Sequence, residues 1–223
     1  MPKMPHKPGI TLPPQRTSGG PVVRRKREPV MVDREENGVR IRTLMPEMAT
    51  SEIANWLTDP AVMEGLNSPR PHMGLDAFRA YIAHFDNFAR NLMLISRGST
   101  PRGLLFLDID PRHRTGAVHL VIGETANRGK GIAPRAAVLA CHHAFLDRDL
   151  EKLTFEPLER NDAAIAICEK AGLRLEGILR SHRIDGRTGE RLDQRIYGLL
   201  RSEYDKAAPA FAAKTAGRSS GFS

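Results

Sequence analysis

Short stretches of apolar residues, several of them alternating with polar ones, recur along the middle of the chain. Such stretches are typical of strands, which bury one face when the pattern alternates and both faces when it is continuous. Turn-forming residues separate them, and residues 185–189, which include two glycines, are expected to form a hairpin connection. The seven stretches lie at residues 39–43, 91–96, 103–109, 117–123, 152–157, 173–184 and 191–200.

Two helices are predicted between the first and second strands. Ser51 is expected to cap the first helix, and Asp59 followed by Pro60 is expected to end it, because a residue before proline disfavours helical conformation. The second helix covers roughly residues 75–88, where aromatic and aliphatic residues recur at helical spacing.

Two further helices follow the fourth predicted strand. One covers residues 133–146, with alanines that allow close packing, and the other begins at the N-cap residue Asn161 and ends at Gly172. The order of elements predicts an α/β (α+β) domain with a mixed, mainly antiparallel sheet of six to seven strands. About four helices are expected to flank this sheet, with one parallel crossover.

Composition sets the limits of this domain. The 223 residues, 40% of them hydrophobic, suffice for one sizeable core, and we expect a single domain at residues 37–205. Residues 1–36 are basic, rich in proline and poor in apolar residues, and residues 206–223 are rich in alanine, serine and glycine. Both ends are therefore predicted to be flexible tails.

The positive charge of the chain lies mainly in these tails. The net charge is +8, and residues 1–36 hold eight Lys and Arg against four Asp and Glu, while residues 206–223 hold three against none. Residues 37–205 are nearly neutral, with 23 basic and 22 acidic residues. The domain itself is therefore not expected to bind nucleic acid, although the basic run at residues 24–27 leaves this open for the N-terminal tail.

Neither targeting signals nor cysteines point to a special location or a metal site. The sequence has no apolar run of the roughly 18 residues that span a membrane, and it does not start with an apolar secretory segment. Cys141 and Cys168 lie in helical patterns and indicate neither a disulfide nor a metal site. We therefore expect a cytoplasmic protein without a metal or a membrane partner, either a monomer or a homodimer.

A glycine-containing loop between a predicted strand and a predicted helix is the main chemical signal. In residues 127–133 (NRGKGIA), two glycines let the main chain approach a ligand, and amides at the start of the following helix have no partner within it. Such amides bind phosphate, and Arg128 and Lys130 add positive charge. The loop fits neither the P-loop of nucleotidases nor the G-x-G-x-x-G loop of dinucleotide enzymes.

The segment RGKGIA, residues 128–133, resembles the [QR]-x-x-G-x-[GA] loop with which GCN5-related N-acetyltransferases (GNATs) bind the pyrophosphate of coenzyme A. Residues 118–137 are similar to the fourth strand, loop and third helix of that family, and residues 161–180 resemble one of its later segments. Residues 42–62 resemble the start of the subgroup that acetylates ribosomal-protein N-termini and of its polyamine-acetylating relatives. The resemblance covers about residues 38–204 in the family's order.

This resemblance implies a GNAT fold and transfer of an acetyl group from acetyl-CoA to a primary amine by direct attack on the thioester. The acceptor would be a protein N-terminus, a polyamine or a small-molecule amine, and its pocket is expected at the variable segments 59–75 and 181–192. The implied coenzyme A contacts are the main chain at Val121, Ile122 and Gly123, the loop residues Arg128, Gly129, Lys130, Gly131, Ile132 and Ala133, and Asn161.

Acetyl transfer also needs groups that accept and donate protons. A primary amine with a pKa of about 10.4 is mostly protonated near neutral pH, so a base must take its proton. Glu124 and His119 are candidates for this base, and each has an equally good structural explanation. Many family members place a proton-donating tyrosine where this chain has Cys168, which is either a donor or a small buried apolar residue.

Two other classes of function stay open. Because that tyrosine is absent, the chain is alternatively a non-catalytic regulator that binds acyl-CoA. Because of the basic run at residues 24–27, it is alternatively a protein associated with nucleic acid.

Overall fold

The computed structural model describes residues 28–67 and 73–206, which form one sheet with helices on both of its faces. The helices are α1 (Ser51–Trp56), α2 (Pro60–Leu66), α3 (Leu75–Ala83), α4 (Ile132–His142) and α5 (Asp162–Lys170). The strands are β1 (Asp33–Glu36), β2 (Val39–Thr43), β3 (Arg90–Arg97), β4 (Thr100–Asp110), β5 (Thr115–Ile122), β6 (Lys152–Phe155), β7 (Arg174–Ile184) and β8 (Arg191–Leu200).

The sheet confirms the predicted fold class. Its strands lie in the order β1-β2-β3-β4-β5-β6-β8-β7, and every neighbouring pair is antiparallel except β5 and β6, which are parallel. Helix α4 makes the crossover between those two strands, as expected for a right-handed β-α-β connection. The glycine-containing loop is therefore the first part of this crossover, between β5 and α4.

Strand β1 was not predicted, and the domain begins before residue 37. Asn37 and Gly38 have φ values of 52° and 72°, which suit a two-residue hairpin turn between β1 and β2. Val32 is buried in the core just before β1. The charged sequence Asp33–Glu36 carries no apolar alternation, so an edge strand here was mistaken for part of the tail and the sheet has eight strands.

Each face of the sheet has its own core. On one face, α4 and α5 pack on residues such as Val118, Leu153 and Phe155, together with Tyr197 of β8. On the other face, α1 to α3 pack on alternate residues of β3, β4 and β5, among them Val121. The second group of helices covers only the β2–β5 part of the sheet, because the buried residues that pack with them come from β3, β4, β5 and the segment after β2.

The helix boundaries differ from the predicted ones in two places. Thr50, and not Ser51, caps α1, because its side chain accepts a hydrogen bond from the amide of Ile53. Helix α2 was not predicted. Pro60 is its first residue, a position where the missing N–H of proline has no cost because that N–H would have no partner within the helix.

Helix α3 is shorter than predicted. It ends at Ala83, although Phe85 beyond it is still buried, so the apolar pattern continues past the last helical hydrogen bonds. The helix predicted at residues 133–146 is present, because α4 continues at His143 into a π-helical turn that ends at Asp147.

Two predicted features at the chain's ends lie outside the described residues, namely the basic run at residues 24–27 and nearly all of the tail at residues 206–223. Among the residues that the structure describes, no helix is both long and apolar enough to cross a membrane.

Candidate active site

The parallel strands β5 and β6 separate before β5 ends. Their pairing runs from Thr115 with Lys152 to Val118 with Phe155, while β5 continues to Ile122. The chain after β6 stays with β8, because the amide of Arg195 donates to the carbonyl of Pro157 at 2.9 Å. Residues 119–122 of β5 therefore have an edge that no strand of the described residues covers, and we call this gap the β5–β6 opening.

Two amides of β5 point into the β5–β6 opening. The Gly123 amide donates to the Arg102 carbonyl on β4 at 2.9 Å, so Gly123 uses its hydrogen bond within the sheet. Alternation along an antiparallel strand then directs Val121 to β4 as well, and Leu120 and Ile122 to the opposite edge. Of the three main-chain positions implied by the family resemblance, only the Ile122 amide faces the opening. The Leu120 amide, which was not among them, faces it as well.

The loop before α4 has the geometry expected of an anion site. Gly129 and Gly131 have φ values of 76° and 73°, which L-residues with a side chain rarely adopt. Gly131 is the N-cap of α4 and no side chain caps the helix, so the amides of Ile132 and Ala133 are not used by a cap. The Ile132 side chain is buried in the core, which fixes the start of the helix.

Trp56 at the end of α1 lies directly against Gly123. A Cβ atom added to Gly123 would be 2.1 Å from both Cδ2 and Cε2 of the indole, so only glycine allows this contact. Both residues are buried. The contact brings α1 to the end of β5, beside the opening, and the sequence offered no motif that would have revealed it.

Glu124 holds the loop in place. Its Oε2 accepts a hydrogen bond from Nδ2 of the buried Asn127 at 2.6 Å and lies 3.7 Å from Nη1 of Arg102. These contacts favour the structural explanation of Glu124 over a role as base.

His119 and Glu156 occupy facing positions across the β5–β6 opening. Val118 and Phe155 are the last registered pair and both point into the α4 side of the core, so the next residue on each strand points to the opposite face. Both side chains are half-buried. Glu156 was missed from the sequence, although the alternation of buried Leu153 and Phe155 already placed it on the polar face of its strand.

Cys168 lies in the apolar core and not at the opening. Its side chain is 4% exposed and belongs to the same buried cluster as Ile165. Burial raises the pKa of the Cys168 thiol to about 11. The position therefore favours the small buried apolar residue over the proton donor.

Asn161 caps α5 and also joins it to α2. Its side-chain oxygen accepts from the amide of Ala164 at 3.1 Å, which confirms the predicted cap, and its Nδ2 donates to the Gly65 carbonyl at 3.5 Å. Gly172 ends the helix with a φ of 75°, as predicted. The start of α5 thus lies next to the end of α2.

The two segments expected to form the acceptor pocket meet in the structure. Nδ2 of Asn67 donates to the Ile184 carbonyl at 2.8 Å, and its Oδ1 accepts from the Gly186 amide at 3.1 Å. Arg160 is ion-paired with the buried Asp185 in the same hairpin. The end of α2 therefore contacts both the start of α5 and the β7–β8 hairpin.

Comparison with known protein families shows to which family this chain belongs. A family model described as an acetyltransferase (GNAT) domain matches residues 39–174, from β2 to the start of β7. The chain belongs to the GNAT acetyltransferase family. It is an acyltransferase, and the enzymes of this family use acetyl-CoA.

Solved GNAT structures share the fold. A GCN5-related N-acetyltransferase from Brucella melitensis is 19% identical with a TM-score of 0.71, and the match covers 85% of this chain and 88% of that one. A spermidine N-acetyltransferase from Vibrio cholerae, solved with CoA and spermine, is 21% identical with a TM-score of 0.66, covering 76% and 99%. The comparison with curated proteins found no match.

Proposed function

We propose that this GNAT protein transfers an acetyl group from acetyl-CoA to a primary amine by direct attack of the amine on the thioester. One observation carries the proposal. The uncovered edge of β5 leads directly into the glycine-containing loop that precedes α4. The similarity of residues 42–62 to ribosomal-protein N-terminal and polyamine acetyltransferases favours a primary amine as acceptor.

The donor site follows from the order of these features along β5 and α4. The amides at Gly131, Ile132 and Ala133 would bind the pyrophosphate, with charge from Arg128 and Lys130 nearby. The main chain of Leu120 and Ile122 would bind the pantetheine arm as an added strand and polarise the acetyl carbonyl. Bound acetyl-CoA supplies an activated acyl group and a thiolate leaving group.

Proton removal is assigned to the pair that faces the opening. An acceptor amine arriving as an ammonium would be attracted by Glu156 and would lose one proton to Glu156 or His119, directly or through water. The neutral amine then forms the new C–N bond while the C–S bond breaks, and the remaining extra proton passes from the nitrogen to the released thiolate or to water. Coenzyme A leaves as its thiolate without a protein acid, since Cys168 is buried away from the opening.

The proposal is tested by measuring thiol release from acetyl-CoA with peptides, polyamines and aminoglycosides as acceptors. We expect turnover with at least one amine, and a Glu156→Gln variant with kcat lowered at least about tenfold and unchanged acetyl-CoA binding. Glu203→Gln is the control variant, because Glu203 lies just past the end of β8, whose last residue Leu200 pairs with Lys152 at the other end of β6 from the opening.

A folded protein that binds acetyl-CoA tightly and acetylates none of these amines would be the non-catalytic regulator instead. Loss of both binding and turnover would exclude either function. Wild-type kcat in Glu156→Gln would remove Glu156 from the mechanism and leave His119 as the base.

A further inference from the structure

The charges around the β5–β6 opening bear on which primary amine could bind there. Several carboxylates on that side already have a basic partner. Glu64 is 3.9 Å from Nη2 of Arg187. Asp185 is paired with Arg160, and Glu124 with Arg102. Glu156 differs, because no Lys or Arg is paired with it among the described residues.

The unpaired carboxylate at the opening suits one ammonium group of the acceptor. A polyamine carries further ammonium groups, which would meet Arg102, Arg160 and Arg187, whose carboxylate partners are already engaged. Unfavourable pairing of this kind is a common basis for rejecting a wrong ligand. We therefore expect a polycation to be the poorer acceptor.

One cation on the same face has unused hydrogen-bonding capacity. Nε of Arg183 donates to Oε1 of the buried Gln194 at 3.0 Å, and Nε2 of Gln194 donates to the Glu156 carbonyl at 2.8 Å. This chain of two hydrogen bonds fixes Arg183 relative to Glu156. No carboxylate pairs with Arg183 in the part of the chain that the structure describes, so its terminal nitrogens can still donate.

The distance between the two groups sets the size of the acceptor. Glu156 lies at the end of β6, Gln194 on the neighbouring β8 and Arg183 on β7 beyond it. Strands are about 4.8 Å apart, so the guanidinium lies roughly 5–10 Å from the Glu156 position across the sheet. An extended peptide rises about 3.3 Å per residue, which places a carboxylate on its second or third residue within reach.

We propose that the acceptor is a primary amine that also carries a carboxylate, with Glu156 binding the ammonium and Arg183 binding the carboxylate. This inference rests on the proposed acetyltransferase function and names the substrate class of the same site. Both the N-terminus of an acidic peptide and an acidic amino acid have this chemistry. Arg183 is then a specificity-determining residue that contacts the acceptor and not the thioester.

The test compares acceptors that differ only in charge. Peptides with a free N-terminal alanine and either Asp or Asn at the second and third positions are assayed with acetyl-CoA, beside spermidine and free aspartate. We expect kcat/KM to be about fivefold to tenfold higher for the Asp peptide than for the Asn peptide, with spermidine poorer than both. Added salt should reduce the ratio.

An Arg183→Gln variant should bring the Asp-to-Asn ratio to within about twofold of one, mainly through KM, and Arg183→Lys should give an intermediate ratio. Arg174→Gln is the matched control, since Arg174 is exposed at the other end of the same strand, about 20 Å away, and it should keep the wild-type ratio. Equal use of free aspartate and the Asp peptide would identify the amino acid as the source.

A wild-type ratio near one, or spermidine as the best acceptor, would overturn this inference while leaving the acetyltransferase function intact. Acetylation of no amine in the panel, by a folded protein, would instead refute the proposed function. The wild-type measurements decide between these outcomes even if the Arg183 variants do not fold.

Discussion

The contact between Trp56 and Gly123 gives the sharpest test of the structure, because a single methyl group suffices to disrupt it. In Gly123→Ala, the new Cβ would be 2.1 Å from two carbons of the indole. Carbon atoms in ordinary contact are about 3.5–4.0 Å apart, so the indole or the end of β5 must move by more than about 1 Å. Trp56 is 5% exposed and has little free space to move into.

The expected cost of Gly123→Ala follows from this overlap. Overpacking a well-packed core costs about 1–3 kcal/mol, and we expect about 2 kcal/mol here. For a domain of this size, Tm should fall by roughly 4–8 °C. The kcat for acetyl transfer should fall as well, because the displaced indole lies beside the opening where we propose that the thioester binds.

Thermal unfolding and urea titration of four proteins measure the effect, namely the wild type, Gly123→Ala, Trp56→Ala and the double variant. Without the indole, Gly123→Ala should cost less than about 0.5 kcal/mol, so the double-mutant cycle should show a coupling of about 1.5 kcal/mol or more. Gly177→Ala is the control, because a Cβ there meets no atom within 4 Å. An equal cost of Gly123→Ala in both backgrounds would refute the contact.

Three further substitutions test other parts of the structure. Gly131→Ala places a side chain at a φ of 73° and should weaken acetyl-CoA binding about tenfold by calorimetry, with normal binding contradicting the loop assignment. Asn161→Ala removes the α5 cap and should lower the free energy of unfolding by about 1 kcal/mol in urea, whereas an unchanged midpoint would exclude the cap. Burial lowers the pKa of His143, whose Nδ1 is 2.8 Å from Asp147 and whose Nε2 has no hydrogen-bond partner in the described part of the chain, so the folded protein resists protonation there. The unfolded chain binds that proton below about pH 6.5, so stability should fall as pH falls below that value, by at most about 1.4 kcal/mol per pH unit, and the slope should be smaller in His143→Gln.

Local sequence patterns predicted what depends on local interactions. The caps of α5 and the positive φ of Gly172 follow from Asn161 and a glycine at fixed spacing, and both are present. Strand positions came from alternation, which reflects burial of one face. Strand β1 was missed because its two faces are charged and half-exposed, so burial left no pattern in Asp33–Glu36.

The candidate site was predicted in part. The loop that we propose binds the pyrophosphate could be identified because glycine conformation and a helix start are local properties. The interpretation of three other residues depended on neighbours distant in sequence. Glu124 pairs with Arg102, Cys168 packs in the core between the sheet and the helices α4 and α5, and the Gly123 amide donates to the Arg102 carbonyl. No local pattern reports such partners, and for this reason those residues could not be assigned from the sequence.

The sequence by itself therefore determined the order of strands β2 to β8, the helices among them except α2, the loop that suits a pyrophosphate and the family. Only the tertiary structure decided that β6 leaves β5 after Phe155 and follows β8. This leaves the main chain of Leu120 and Ile122 without a neighbouring strand and brings Glu156 and Arg183 to one face. The physical reason is that strand pairing satisfies backbone hydrogen bonds between segments far apart in the chain. Periodicity fixes which face of a strand is buried, whereas the choice of neighbour depends on every other strand that competes for the same edge.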